Sequence, residues 1–150
     1  MSLGARLDHE WIESHIPHQG NMCLLDEVLS WDEVRIRCRA SSHRSADNPL
    51  RAHGRLGAAC GVEYAAQAMA VHGAIMAHVA GTRARAGLLT SVRNLVLQVS
   101  RLDDVDTDLI ASAERLAGDE GSTLYEFTVT AGGRELLSGR ASIVFGAASP

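Results

Sequence analysis

Apolar and polar residues along this chain keep two different periods. Val34, Ile36, Cys38 and Ala40 alternate with Arg35, Arg37 and Arg39, the two-residue period of a strand with one buried face. The same period returns at Leu95, Leu97 and Val99, at Leu109, Ala111 and Ala113, and at Tyr125, Phe127 and Val129. Leu137, Ala141, Ile143 and Phe145 share a face in a last strand, and Gly132 and Gly133 mark a hairpin before it. Met22 to Trp31 reads as one more strand, which makes six. From Gly57 to Ala80 the pattern changes to proline-free alanine and methionine, apolar on nearly every side. That predicts a buried helix of roughly 36 Å. A short amphipathic helix is expected over Leu7 to His15, stopping near Pro17, and Gly81 to Gly87 is expected as a turn. Ser41 to Arg55 has no period and is long for a loop in a compact domain, a type that often carries function.

Strand, strand, long helix and then a run of strands describe an α+β domain with an antiparallel sheet. No repeat or linker divides residues 1–150, so a single domain is expected. A sheet of about six strands curls only partly around a helix apolar on all sides. A second subunit is therefore expected to complete its burial.

Composition narrows the function classes. The chain has 150 residues, 46% hydrophobic and 21% charged, enough for one core without metal or disulfide staples. Cys23, Cys38 and Cys60 form an odd set without C-x-x-C spacing, and no signal-like apolar run precedes them, which favours a reduced, cytoplasmic setting. A net charge of -4 with scattered arginines excludes a nucleic-acid footprint. Leu56 to Thr82 is nearly uncharged but holds Glu63, Gln67, His72 and His78, so it reads as a buried helix and not as a membrane span.

Glu63 is the leading candidate for chemistry. It stands in the long helix among Ala58, Ala59, Cys60, Val62, Ala65 and Ala66, where desolvation would keep its carboxyl partly protonated, as a general acid requires. The alternative is a carboxyl that faces solvent or pairs with an arginine. Gln67 follows one turn later on the same face. His18, after Pro17 in a rigid turn, and His53, just before the helix, are candidate bases near neutral pH. A hydrogen bond to loop backbone is the alternative for His18, and a surface position for His53. His72 and His78 lie six residues apart and do not share a helix face, and no compact Cys/His cluster exists, so no metal is expected. No nucleophile elbow, phosphate loop or dinucleotide fingerprint is present.

Three segments carry a resemblance to a known family. Ile16-Pro17-His18-Gln19-Gly20-Asn21-Met22-Cys23-Leu24-Leu25-Asp26 is similar to the opening Pro-His turn and Leu-Leu-Asp strand of hot-dog fold β-hydroxyacyl-acyl-carrier-protein dehydratases. Glu63-Tyr64-Ala65-Ala66-Gln67 resembles their catalytic-helix motif, Glu-x-x-Ala-Gln, and Gly87-Leu88-Leu89 resembles the start of the strand after that helix. Within the family, the chain most resembles the dehydratase-like subunit associated with aryl-polyene biosynthesis clusters. The resemblance implies a long central helix wrapped by a curved antiparallel sheet, and a thioester substrate delivered on acyl carrier protein. It also implies a homodimer, or a heterodimer with another hot-dog subunit, and no cofactor. In that reading Glu63 is the acid, His18 or His53 the base, and Asn48, Gly57, Gly61 and Gln67 are substrate-binding, with the glycines presenting open backbone amides. The family's His-Phe-Pro-Gly loop is absent, and Asn48-Pro49-Leu50 is the nearest piece. A hot-dog thioesterase and a non-catalytic partner subunit are the alternative functions. Arg51, Arg55, Arg83 and Arg85 form a candidate docking patch for an acidic carrier.

Overall fold

The computed structural model describes residues 6–146. A short helix, α1 (His9–His15), is capped by the Asp8 carboxylate, which accepts from the Trp11 amide. Strands β1 (Glu27–Trp31) and β2 (Arg35–Ala40) form a hairpin, and the long helix α2 (Gly61–Val79) follows the loop. Strands β3 (Gly87–Leu97), β4 (Leu109–Gly118), β5 (Ser122–Ala131) and β6 (Arg134–Phe145) complete one sheet in the order β1-β2-β4-β5-β6-β3, antiparallel at each pairing. Alternation in the sequence becomes alternation in burial. Ile36, Cys38 and Ala40 of β2, Leu109, Ala111 and Ala113 of β4, and Tyr125, Phe127 and Val129 of β5 turn their side chains toward the helix and are buried.

The helix begins in two steps. A 3-10 turn, Ala58–Cys60, leads into α2, so the helical run differs from the expected Gly57–Ala80 by only one residue at each end. Tyr64, Ala65, Ala68, Met69, Val71 and Ile75 are buried against the sheet. Gly61 lies so close to β6 that an added Cβ would stand 2.5 Å from a Leu137 methyl carbon. Its glycine is a packing requirement.

Two expectations need correction. Met22 to Trp31 is not one strand: a 3-10 turn at Gly20–Met22 is followed by Cys23, Leu24 and Leu25, all buried, before β1 starts at Glu27. Consecutive burial rules out a one-faced strand there, and the Leu24 amide is taken by a helix side chain and not by a neighbouring strand. The strand placed around Leu95 to Val99 begins eight residues earlier, at Gly87, than its apolar residues suggested and is exposed along most of its length. β3 is an edge strand, which removes the one-sided burial that periodicity detects.

The two sheet edges differ. The outer edge of β1 is met by the N-terminal segment, where the Val28 amide donates to the Leu7 carbonyl and Asp8 bridges Glu27. Among the described residues nothing pairs with the outer edge of β3. Leu88 there is 70% exposed, and Leu95, Val96 and Leu97 are exposed beside it.

Candidate functional site

The turn that carries His18 is held from two sides. Gln19 Nε2 donates to the Glu13 carbonyl at 2.8 Å, and the Gly20 amide donates to Glu13 Oε2 at 2.9 Å, so the turn is tied to α1. Gly20 takes φ +59°, a backbone conformation that favours glycine. From the helix side, Gln67 Nε2 donates to the Met22 carbonyl at 2.6 Å while Gln67 Oε1 accepts from the Leu24 amide at 2.9 Å. The same Nε2 reaches Glu63 Oε1 at 3.3 Å. Gln67 thus fixes the distance between the Pro-His turn and the helix.

That distance brings His18 Nε2 to 3.2 Å from Glu63 Oε1. The two side chains retain 27% and 32% of their exposure, so the carboxyl is not desolvated as its apolar neighbours suggested: it faces an opening. His18 Nδ1 is buried and has no hydrogen-bond partner. The opening is a cavity of about 650 Å³ between α2 and the far ends of β3, β5 and β6. Ala66, Met69, Ala70 and Gly73 form its helix wall, Tyr125, Ile143 and Phe145 its sheet wall, and His18 and Glu63 its polar end. From Glu63 to Ala77, the last lining residue of α2, the helix extends about 21 Å. The groove has room for an extended chain with its reactive end beside the His18–Glu63 pair.

The other expected site residues lie elsewhere. His53 sits at φ +54° in the exposed turn closed by Ala52 and Arg55 and does not line the groove. Asn48 is buried and spent on structure: its amide donates to the Ser42 carbonyl and to the Tyr64 hydroxyl, and its Oδ1 accepts from the Leu50 amide. Gly57 and Gly61 do not line the groove, and the amides of Ala58, Cys60 and Gly61 are committed to protein carbonyls, so the helix start offers little to a substrate oxygen. Gln67 is fully buried and uses both ends of its amide on the protein. It holds Glu63 and does not itself line the groove. Arg83 and Arg85 line the far end of the groove, and Arg85 donates to the Glu120 and Gly146 carbonyls while lying over the Phe145 ring at 5.5 Å. Arg51 and Arg55 donate to loop carbonyls.

The sequence reading missed the sheet wall. Tyr125 was visible only as a strand residue, yet its hydroxyl meets His72 Nδ1 at 2.7 Å inside the core. A buried histidine on an apolar helix requires a polar partner from a facing strand, and Tyr125 is the one tyrosine in the strand patterns. No group of three His, Cys, Asp or Glu side chains among the described residues is placed to hold a metal. No helix of the described residues is long and apolar enough to cross a membrane.

Replacing Gln67 by leucine should expose how much the site depends on this residue. It leaves the Leu24 amide and the Met22 carbonyl unpaired in the core, and the expected loss is on the order of 3 kcal/mol in urea unfolding. An unchanged midpoint would show that the two loop groups find other partners.

A long helix wrapped by an antiparallel sheet, with a His-Glu pair at one end of an apolar groove, defines a hot-dog protein of the dehydratase type. The family follows from the sequence: residues 10–147 match the model of the ApeP-like family, described as ApeP dehydratase, and the chain belongs to that family. Among solved structures it is similar to the dehydratase heterocomplex ApeI:P from Xenorhabdus doucetiae, with a TM-score of 0.82 at 22% identity over 91% of each chain. It is also similar to zebra fish thioesterase superfamily member 2, with a TM-score of 0.62 at 15% identity over 92% of this chain and 95% of that one. A hypothetical thioesterase from Streptococcus pneumoniae TIGR4, solved with coenzyme A, has a TM-score of 0.54 at 11% identity over 83% and 88%. At these identities the structural likeness shows the fold. No curated protein matches the sequence significantly.

Proposed function

We propose that this chain dehydrates a β-hydroxyacyl group carried as a thioester on acyl carrier protein to the trans-2-enoyl thioester, in fatty-acid or polyene-type biosynthesis, with His18 as base and Glu63 as acid. The observation that carries this reading is the 3.2 Å approach of His18 Nε2 to Glu63 Oε1 at the end of an apolar groove. The carbon that loses its proton and the carbon that loses its hydroxyl are bonded neighbours, so the acid and base must also stand side by side. His18 takes the proton next to the thioester carbonyl, and that electron pair forms the carbon-carbon double bond. The carbon-oxygen bond breaks as Glu63 delivers its proton to the hydroxyl, and water leaves. No cofactor enters this balance. The groove takes the acyl chain, whose burial supplies binding without charge.

A second reading, a subunit that completes a heterodimer, is favoured by the uncovered edge of β3. Its exposed Leu88, Val96 and Leu97 beside unpaired backbone groups suit another hot-dog subunit or a second copy of this chain, joined strand to strand. The similar structure from Xenorhabdus doucetiae is a heterocomplex, which supports the same arrangement here. Mass spectrometry of 3-hydroxyacyl carrier protein incubated with the purified chain separates the outcomes. Loss of one water from the carrier-bound chain is the expected result. Release of free acid would make the chain a thioesterase, and silence that ends on mixing with a second hot-dog subunit would assign it the partner role.

A further inference from the structure

Gly73 stands in the middle of α2, where glycine costs more stability than any residue except proline. Glycines of this kind have either a conformational or a packing reason, and Gly73 has neither. Its backbone is not among the positive-φ positions, and a Cβ added to it would find nothing within 4 Å. Gly61 in the same helix shows the contrast, because there an added Cβ would collide with Leu137. The empty space beside Gly73 belongs to the groove that ends at His18 and Glu63.

The facing wall cannot move to make room. Tyr125 is 3% exposed, and its hydroxyl is tied to His72 Nδ1. His72 Nε2 lies 2.8 Å from the Asp32 carbonyl, which only accepts, so Nε2 carries the proton and the Tyr125 hydroxyl is the donor to Nδ1. The tyrosine ring is thereby pinned through the helix to the β1-β2 hairpin. With Tyr125 held, the width of the groove at its level is set by the residue on the helix.

We propose that Gly73 is a specificity-determining residue that keeps the groove open to long acyl chains, a role that rests on the groove's being the acyl site. Gly73 lies ten residues beyond Glu63, about 15 Å along the helix. A short acyl chain ends before reaching it, and a long one passes it.

The test uses the full-length chain and 3-hydroxyacyl-pantetheine analogues in which an amide replaces the thioester, with dissociation constants read by titration calorimetry. Gly73→Leu should weaken binding of the 3-hydroxyhexadecanoyl analogue on the order of tenfold or more and leave the 3-hydroxybutyryl analogue within about twofold, since a filled apolar pocket discriminates at that scale. Gly73→Ala, which adds a methyl group into open space, should raise the melting temperature by about 2–4 °C, which confirms that glycine is not kept for stability. Equal weakening of both analogues, or none, would overturn the proposal, since Gly73 would then face the carrier arm or no ligand at all. Loss of a dimer in light scattering with chain-length preference intact would overturn it too, by assigning the space to a partner helix. If the wild-type chain binds neither analogue, the acyl-groove reading itself fails, and the proposal falls with it.

Discussion

Glu63→Gln should leave a 3-hydroxyacyl carrier protein intact under conditions in which, on the proposed reading, the wild-type chain would remove water from it. The variant keeps the shape of the side chain and its place beside Gln67, but an amide has no proton to deliver to the leaving hydroxyl. The expected loss is about a hundredfold to ten-thousandfold, the range over which a positioned acid or base acts. His18→Gln should lose as much, because each group handles one half of a single elimination. The double variant should then be no slower than either single one, since groups that act as a unit do not lose activity additively. Circular dichroism and an unchanged urea midpoint in Glu63→Gln would show that the loss is chemical. Retained activity in His18→Gln together with loss in His53→Gln would move the base to the loop and would demand a rearrangement that brings His53 from its exposed turn to the groove.

Much of this architecture was readable in the sequence because burial in it is periodic. Strands β2, β4 and β5 each bury one face against α2, so their alternation survived into the structure residue by residue. The Pro17-His18 turn and the Glu63 to Gln67 spacing were equally visible, and the contact between them is the work of Gln67, whose amide spans 43 residues of sequence to reach Leu24. What could not be read were features that depend on facing elements far apart in the chain. The collapse of Cys23 to Leu25 into the core follows from that Gln67 contact, the exposure of β3 follows from its place at the edge, and the groove needs Tyr125, Ile143 and Phe145 opposite α2. His53 is close to Glu63 in sequence and apart from it in the fold, because the strained turn at His53 and Gly54 carries it outward. Proximity along the chain is weak ground for placing a base; the longer separation, His18 to Glu63, gives the contact.

Acid should destabilise the protein well before its carboxylates are protonated, and two histidines are the reason. His72 and His43 are both buried, and burial pushes the pKa of each below the ordinary histidine value. A proton on His72 Nδ1 would reverse its bond with Tyr125, so that the hydroxyl, which burial pushes up to about 12 and keeps protonated, would accept and would have to turn its own proton to another acceptor. His43 Nε2 is held by the Val105 carbonyl, and its Nδ1 is buried without a partner. Above the unfolded-state pKa, near 6.5, neither residue is protonated in either state and no pH dependence arises. As the pH falls below that value the unfolded chain binds protons that the folded chain refuses, and stability declines by up to about 1.4 kcal/mol per pH unit for each histidine. The paired carboxylates act in a separate window. Asp103, held low by the Arg101 guanidinium, and Asp108, held low by Arg44, contribute stability above the ordinary aspartate range that is lost only at more acid pH. Urea unfolding at pH 7 and at pH 5 should therefore show a drop, with NMR recording that each of the two imidazoles titrates at lower pH in the folded protein than in the unfolded chain. The double variant His72→Leu with Tyr125→Phe removes both partners of the buried pair, and its slope between the two pH values should fall by about half if His43 carries the remainder. A slope unchanged in that variant, or an His72 imidazole that titrates in the folded protein near its ordinary value, would contradict the account and would mean that the helix opens far enough at this level to admit a proton.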